Sequence, residues 1–174
     1  VPYLVNQDAD AADWLRANPH QSNLGCIGFV TGDGHSISAD AIESPNQHLN
    51  LWHGHLHSAF MYEGVPVEVE TVCHPEKDTV GIRATSPKIA SGDLAIQIAF
   101  PYTSALWGRD PADWYNADAH TSEITINADR TVITRKLDTL SYICDVRHGS
   151  NISAQQTAPH TVCMHPQMAD TIEL

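Results

Sequence analysis

An alternation of apolar and polar residues constrains this sequence more than any other feature. The run Val65–Cys73 alternates clearly, and Glu63-Gly64 before it predicts a tight turn. A period of two places successive side chains on opposite faces of a strand, whereas a helix has a period of 3.6. The chain has further strand-like stretches, which turn residues or prolines separate: 24–30, 49–62, 78–86, 94–100, 122–126, 132–137, 140–147, 161–164 and 171–174.

About nine or ten strands with frequent turns predict an all-β fold, either a two-sheet sandwich or a barrel-like closure. Polar residues on one face of the strands favour antiparallel sheets, because parallel sheets are covered on both faces. One helical pattern lies near the start, where Asp8 or Asp10 caps a segment that ends at Asn18-Pro19. With 174 residues, the chain is predicted to form a single domain over 1–174.

The charge balance excludes two classes of partner. Nine Lys and Arg residues against 21 Asp and Glu residues give a net charge of −12, which argues against nucleic acid and anionic membranes as partners.

The chain opens at Val1 without a secretory signal, and its alternating end at 171–174 has the pattern of an interrupted strand. We therefore expect an excised or processed piece of a longer protein. A further expectation is that this protein is exported.

Cysteine and histidine are the residue types that could bind a metal. Cys26, Cys73, Cys144 and Cys163 form no CxxC pair and lie in apolar stretches, which favours buried free thiols over one or two disulfides.

The histidines at 53, 55 and 57 lie at i, i+2 and i+4 and would share one face of a strand. On the opposite face, core residues are predicted: Trp52, Leu56 and Phe60. The histidine face would therefore point outward. Two histidines at this spacing with a third ligand can hold zinc or iron. However, Glu63 follows His57 one residue too late for the cupin pattern. A solvated or interdomain histidine face is favoured over a metal site at His53, His55 and His57, and no cofactor is expected.

The stretch Tyr102–Thr121 lacks periodicity and is too long for an ordinary connection, so it is predicted to be functional. Aromatic faces stack on sugar rings, and arginine and carboxylate groups bond sugar hydroxyls. The alternative is that the tryptophans fix the loop to its own sheet and the carboxylates cap turns. No pair of carboxylates at a defined separation predicts glycoside chemistry, so no catalytic residue is assigned. The candidates for carbohydrate or interdomain contact are Trp107, Arg109, Asp110, Asp113, Trp114, Tyr115 and His120.

Several short motifs together resemble the N-terminal β-sandwich of family 65-like glycoside hydrolases and phosphorylases, which belong to the six-hairpin glycosidase group. The resemblance covers about Trp14 to Leu174 and consists of structural residues. Its motifs are 17–20 (Ala-Asn-Pro-His), 23–25 (Asn-Leu-Gly), 27–28 (Ile-Gly), 49–54 (Leu-Asn-Leu-Trp-His-Gly), 64–67 (Gly-Val-Pro-Val), 72–75 (Val-Cys-His-Pro) and 100–102 (Phe-Pro-Tyr).

The resemblance implies a large antiparallel sandwich of the super-sandwich type, which packs beside a separate catalytic (α/α)6 barrel of the same polypeptide. It also implies a saccharide substrate, acted on by hydrolysis or phosphorolysis in that barrel. The sandwich of such a protein is non-catalytic and can lend a loop to the sugar site. Two alternatives stay open: a stand-alone carbohydrate-binding module, and a cupin-like metal-binding protein that uses the three histidines.

Overall fold

The computed structural model describes residues 10–12, 15, 23–104 and 110–174. Residues 10–12 and 15 are helical, in agreement with the predicted N-terminal helix, whose other residues lie outside the described ranges. No helix in the described ranges is long and apolar enough to cross a membrane. Within these ranges the chain forms fourteen strands: β1 Cys26–Thr31, β2 Ile42–Asn50, β3 His55–Tyr62, β4 Val65–Cys73, β5 Val80–Thr85, β6 Leu94–Ala99, β7 Tyr102–Thr103, β8 Ala112–Asp113, β9 His120–Ile126, β10 Arg130–Leu137, β11 Leu140–Arg147, β12 Ile152–Ala158, β13 Thr161–Pro166 and β14 Thr171–Glu173.

The strands form antiparallel sheets, so the predicted all-β, sandwich-like fold is confirmed. A four-stranded sheet has the order β1-β6-β13-β12, and a five-stranded sheet has the order β14-β5-β4-β3-β2. A three-stranded sheet follows as β11-β10-β9, and β7 pairs with β8 in a short ribbon. Inward side chains of the three larger sheets meet in one apolar cluster, which includes Val67, Ile98, Ile133 and Met164. That shared core joins the sheets.

Local sequence explains the strands that were predicted well. In β4, Val67 is buried while Glu68 on the other face is exposed, as the alternation requires. The turn from β3 to β4 has positive φ at both Glu63 (50°) and Gly64 (73°), which suits the twist of a tight hairpin.

The prediction of one continuous strand over 49–62 is wrong. Residues 51–54 form a turn between β2 and β3, and Gly54 has a φ of 58°. The Asn50 side chain holds this turn, because its Oδ1 accepts hydrogen bonds from the amides of Trp52 (3.1 Å) and His53 (3.2 Å). Trp52 was predicted as core and is instead 91% exposed.

A one-turn helix, Pro87–Ala90, follows β5 and was not predicted. Ser86 caps this helix: its Oγ accepts from the Lys88 amide (3.2 Å) and donates to the carbonyl oxygen of Pro66 (2.7 Å) in β4. Ser86 is buried, so its hydroxyl ties the helix to the five-stranded sheet.

Replacing Ser86 should therefore destabilise the fold measurably. Ser86→Ala removes the cap and leaves the Pro66 carbonyl without its donor, which should cost about 1–2 kcal/mol. Ser38 is the matched control, because it is exposed and caps a 3-10 turn at Ala39–Ala41 with one bond of 3.3 Å. Ser38→Ala should cost less than about 0.5 kcal/mol. Urea unfolding of both variants tests this, and equal losses would contradict the tie to Pro66.

Candidate functional site

The segment after β6, predicted as an irregular loop, contains regular structure that fixes part of it. Tyr102 pairs with Asp113 and Thr103 with Ala112 in the β7–β8 ribbon, and a 3-10 turn at Ala117–Ala119 leads into β9. Trp107 and Arg109 lie outside the described residues. The structure therefore tests the placement of only part of the predicted contact set.

Two of the three aspartates of this segment, Asp110 and Asp113, cap turns, as the alternative interpretation held. Asp110 Oδ1 accepts from the Ala112 amide (2.9 Å), and Asp113 Oδ1 accepts from the Tyr115 amide (2.9 Å). These bonds position the backbone around Trp114. Both carboxylates thus have a local structural role, which does not itself involve a ligand.

The aromatic residues of the segment are exposed to different degrees. Tyr115 is 99% exposed, whereas Trp114 is 47% exposed and lies next to the four-stranded sheet. There it lines a groove of about 290 Å³, whose other walls belong to β1, Ser36 and β6. Trp114 is the predicted contact residue that the structure places at a concave surface.

The groove lies on the side of the four-stranded sheet that faces away from the core. Ile96 and Ile98 point into the core, so Gln97 between them points the other way. Gly28 stands opposite Gln97 in the register, and a Cβ added to Gly28 would have nothing within 4 Å. Open space therefore lies over Gly28. The described residues that line the groove are uncharged: Cys26, Ile27, Gly28, Phe29, Val30, Ser36, Gln97, Ala99 and Trp114.

Two groove residues escaped sequence analysis for different reasons. Gly28 interrupts an alternating strand, and an isolated glycine in such a pattern is a recognised sign of close approach to the backbone. Gln97 sits in an apolar run, where one polar residue carries little information. Their meeting across β1 and β6 depends on strand pairing, which the pattern alone does not specify.

His120 was predicted as a contact residue but is buried, with 6% of its surface exposed. Its ring stacks on that of His160 with centroids 3.8 Å apart, and Arg135 donates to its Nδ1 over 2.6 Å. Burial, His160 and Arg135 lower the pKa of His120 to about 4. His120 therefore belongs to an internal cluster and does not line the groove.

The histidines predicted to share a strand face are only partly brought together. His55 and His57 lie on the same face of β3, while His53 belongs to the preceding turn. On that face His57 pairs in register with Glu70 and, on its other side, with His48.

Charged residues continue this face across the sheet. Arg83 bonds Glu70 (3.2 Å) and Glu173 (2.6 Å), beside an open groove of about 420 Å³ that His55 also lines. The described residues contain no group of three or more His, Cys, Asp or Glu side chains that could hold a metal ion.

The cysteines differ in their surroundings. All four are free thiols; Cys26 and Cys73 are exposed, Cys144 is half-buried and Cys163 is buried. The expectation of free thiols agrees with the structure, whereas the expectation of burial is wrong for Cys26 and Cys73. Burial and the charge of Asp145 raise the pKa of Cys144, so its thiol is not activated.

The described part of the chain thus contains an uncharged groove beside a half-exposed tryptophan, which has the character of a ligand contact. An aromatic ring at such a groove suits a ligand that has both an apolar face and hydroxyl groups. The half-buried Gln97 amide and the exposed Ser36 hydroxyl supply the hydrogen-bonding groups. Comparison with known protein families, with curated proteins and with solved structures finds no match for this chain.

Proposed function

We propose that this chain is a non-catalytic β-sandwich domain of a glycoside hydrolase-like protein, and that it contacts a saccharide through the groove beside Trp114. The observation that carries the proposal is the position of Trp114, half-exposed over a groove lined by uncharged residues. The saccharide class and the parent enzyme come from the resemblance to family 65-like proteins, on the motifs quoted above. The proposal predicts that the chain folds alone and hydrolyses no glycoside.

The chemistry of the groove suits an uncharged sugar. The C–H face of a pyranose ring packs on an indole ring, while its hydroxyls need donors and acceptors within reach. Gln97 offers both a donor and an acceptor, and Ser36 offers a hydroxyl. No Lys, Arg, Asp or Glu lines the groove in the described residues, so a uronate or phosphorylated sugar would lose its hydration without gaining a counter-charge.

Substitution of Trp114 tests the contact directly. Trp114→Ala should weaken the binding of maltose or cellobiose about tenfold or more, because the stacking surface is lost. Tyr115→Ala is the matched control, since Tyr115 is the next residue, is fully exposed and does not line the groove. Calorimetric titration of both variants measures the effect. Binding by Trp114→Ala at the strength of the unsubstituted chain would contradict the proposal.

A second variant blocks the groove without removing Trp114. Gly28→Val places a side chain where the backbone leaves open space, at a strand position that favours a β-branched residue. This variant should unfold at the same urea concentration as the unsubstituted chain and should bind neither disaccharide. Retained binding by Gly28→Val would show that the ligand does not enter the groove.

A specific observation also favours contact with another domain. At one end of the five-stranded sheet, large apolar side chains are exposed on and beside the turn from β2 to β3. They are Leu49, Leu51, Trp52, Val72 and Val80. If this surface packs on a catalytic domain, the amides of residues 49–54 should exchange with solvent more slowly in the longer protein than in this chain alone. Equal exchange in both would rule out that contact.

A further inference from the structure

A fully buried arginine lies beneath the segment that carries Trp114. Arg135 occupies an inward position of β10, in the alternation that also buries Ile133 and Leu137. Its exposed fraction is 0%, and among the described residues no carboxylate forms an ion pair with it. A buried charge without a counter-charge is costly, so its neutral contacts must compensate.

The hydrogen bonds of Arg135 reach residues on both sides of the segment 110–119. Nη2 of Arg135 donates to the carbonyl of Pro101 (3.0 Å), just before β7, and to Nδ1 of His120 (2.6 Å), at the start of β9. Nη1 of Arg135 donates to Ser122 Oγ (2.6 Å) and to Nδ1 of His160 (3.2 Å). Nε finds no acceptor among the described residues.

His160 extends the cluster into the segment itself. Its Nε2 lies 2.9 Å from the carbonyl oxygen of Ala117, in the 3-10 turn. Since a carbonyl only accepts, the proton of a neutral His160 must sit on Nε2, which leaves Nδ1 to accept from Arg135 or Ser122. A guanidinium only donates, so Nδ1 of His120 must accept, and the proton of His120 also sits on its Nε2.

We propose that Arg135, His120 and His160 form a latch that holds the segment 110–119 against the sandwich while His120 is neutral, and that releases the segment when His120 takes a proton. Protonation would convert Nδ1 of His120 from an acceptor into a donor, directed at a guanidinium that can only donate. It would also place a second positive charge beside a buried one. The latch acts on the segment itself and operates without a bound saccharide.

The groups around His120 favour its neutral form. Arg135 of β10 and His160 before β13 oppose a charge on the ring, and the ring of Tyr102 in β7 lies 5.7 Å away. Asp113 of β8 acts in the opposite direction and raises the pKa of His120. Because burial, His160 and Arg135 together outweigh Asp113, the pKa of His120 falls from 6.5 to about 4, and the latch should hold at neutral pH and weaken in acid.

The tautomers give the first test. Two-bond ¹H–¹⁵N spectra of the full chain with ¹⁵N-labelled histidine distinguish Nδ1–H, Nε2–H and imidazolium rings. At pH 7 His120 should be neutral with the proton on Nε2 and should stay neutral down to about pH 5, and Nε2 of His160 should carry a proton. An imidazolium or an Nδ1–H tautomer at His120 at pH 7 would overturn the proposal.

Hydrogen exchange gives the second test, because the amides of Ser104 and Ala119 donate to the carbonyls of Pro111 and Asn116, which lie in the held segment. With a pKa of about 4 in the held state and 6.5 in the released state, opening should increase roughly 20-fold between pH 7 and pH 5. The measured rates are corrected for intrinsic exchange, with the amides of β4 and β5 as the internal reference. If the exchange rates of the Ser104 and Ala119 amides, relative to those of the β4 and β5 amides, do not change between pH 7 and pH 5, the latch is contradicted.

Matched variants separate the latch from a general response to acid. His120→Asn offers Arg135 an amide oxygen in place of Nδ1 but cannot be protonated, so opening should become independent of pH. The control is His148→Gln, a buried histidine that contacts Thr131 (3.2 Å) and lies outside the latch; it should keep the full pH dependence. A pH-dependent His120→Asn would overturn the proposal. If that variant does not fold, the tautomers of the unsubstituted chain decide.

Discussion

The Arg135→Ala variant should lose about 2–4 kcal/mol of its free energy of unfolding, because each buried acceptor left without a donor costs about 1–3 kcal/mol, while removal of a buried charge without a counter-charge offsets part of that loss. The substitution deletes the donors that serve Pro101, Ser122 and two histidines, and these buried or half-buried acceptors would keep their desolvation cost without that partner. It also removes a guanidinium that lies 5.1 Å from the ring centroid of Phe100. Urea unfolding at pH 7 measures the loss.

The matched control for Arg135 is Arg147, at the end of β11. The Arg147 side chain is 65% exposed and reaches Asp145 at 3.6 Å, so Arg147→Ala should cost less than about 1 kcal/mol. Comparable losses in the two variants would mean that Arg135 contributes no more than a surface ion pair. That result would also remove the physical basis of the latch.

The Gly32→Ala variant should lose about 3 kcal/mol, for a steric reason. A Cβ at Gly32 would overlap the carbonyl oxygen of Gly92 and would lie 3.1 Å from its carbonyl carbon, and both are backbone atoms. The two backbones could separate only by weakening the bond from the Gly32 amide to the carbonyl of Asp93 (2.8 Å). Overpacking and loss of a hydrogen bond therefore add, and thermal unfolding measures their sum.

Gly28→Ala is the control for Gly32→Ala. Gly28 lies in β1, the strand that ends just before Gly32; its φ is not positive, and an added Cβ meets nothing within 4 Å. Alanine also loses less backbone entropy than glycine on folding, so this variant should be as stable as the unsubstituted chain or slightly more so. If Gly32→Ala unfolds at the same temperature as Gly28→Ala, the close approach of the two turns is not as tight as the structure shows.

Alternation of apolar and polar residues predicted two strands at their observed bounds. Val65–Cys73 and Leu140–Arg147 coincide with β4 and β11, because burial of one face imposes a period of two. The strands β2 and β12 were missed for the opposite reason. Both are edge strands with mostly exposed side chains, so few of their residues need to be apolar. Backbone hydrogen bonds to one neighbouring strand hold each of them in its sheet.

The candidate site was predictable only in part, because it depends on contacts between distant segments. Trp114 could be singled out as an aromatic residue in a long connection, but its groove needs Gly28 and Gln97 to meet across β1 and β6. The buried cluster around Arg135 has one recognisable sign in the sequence. Arg135 follows Ile133 and precedes Leu137 at the spacing of one strand face, and an arginine in that series signals a buried charge.

The most direct test of saccharide contact is a titration of the ¹⁵N-labelled chain with maltose and with cellobiose, followed by amide and indole shifts. The account predicts saturable shifts of the Trp114 indole, the Gly28 amide and the Gln97 side-chain amide with at least one disaccharide. Signals of the face that carries His55 and Arg83 should stay unchanged. If neither disaccharide moves the groove signals at millimolar concentrations, or if the shifts are confined to that other face, the proposed function is contradicted.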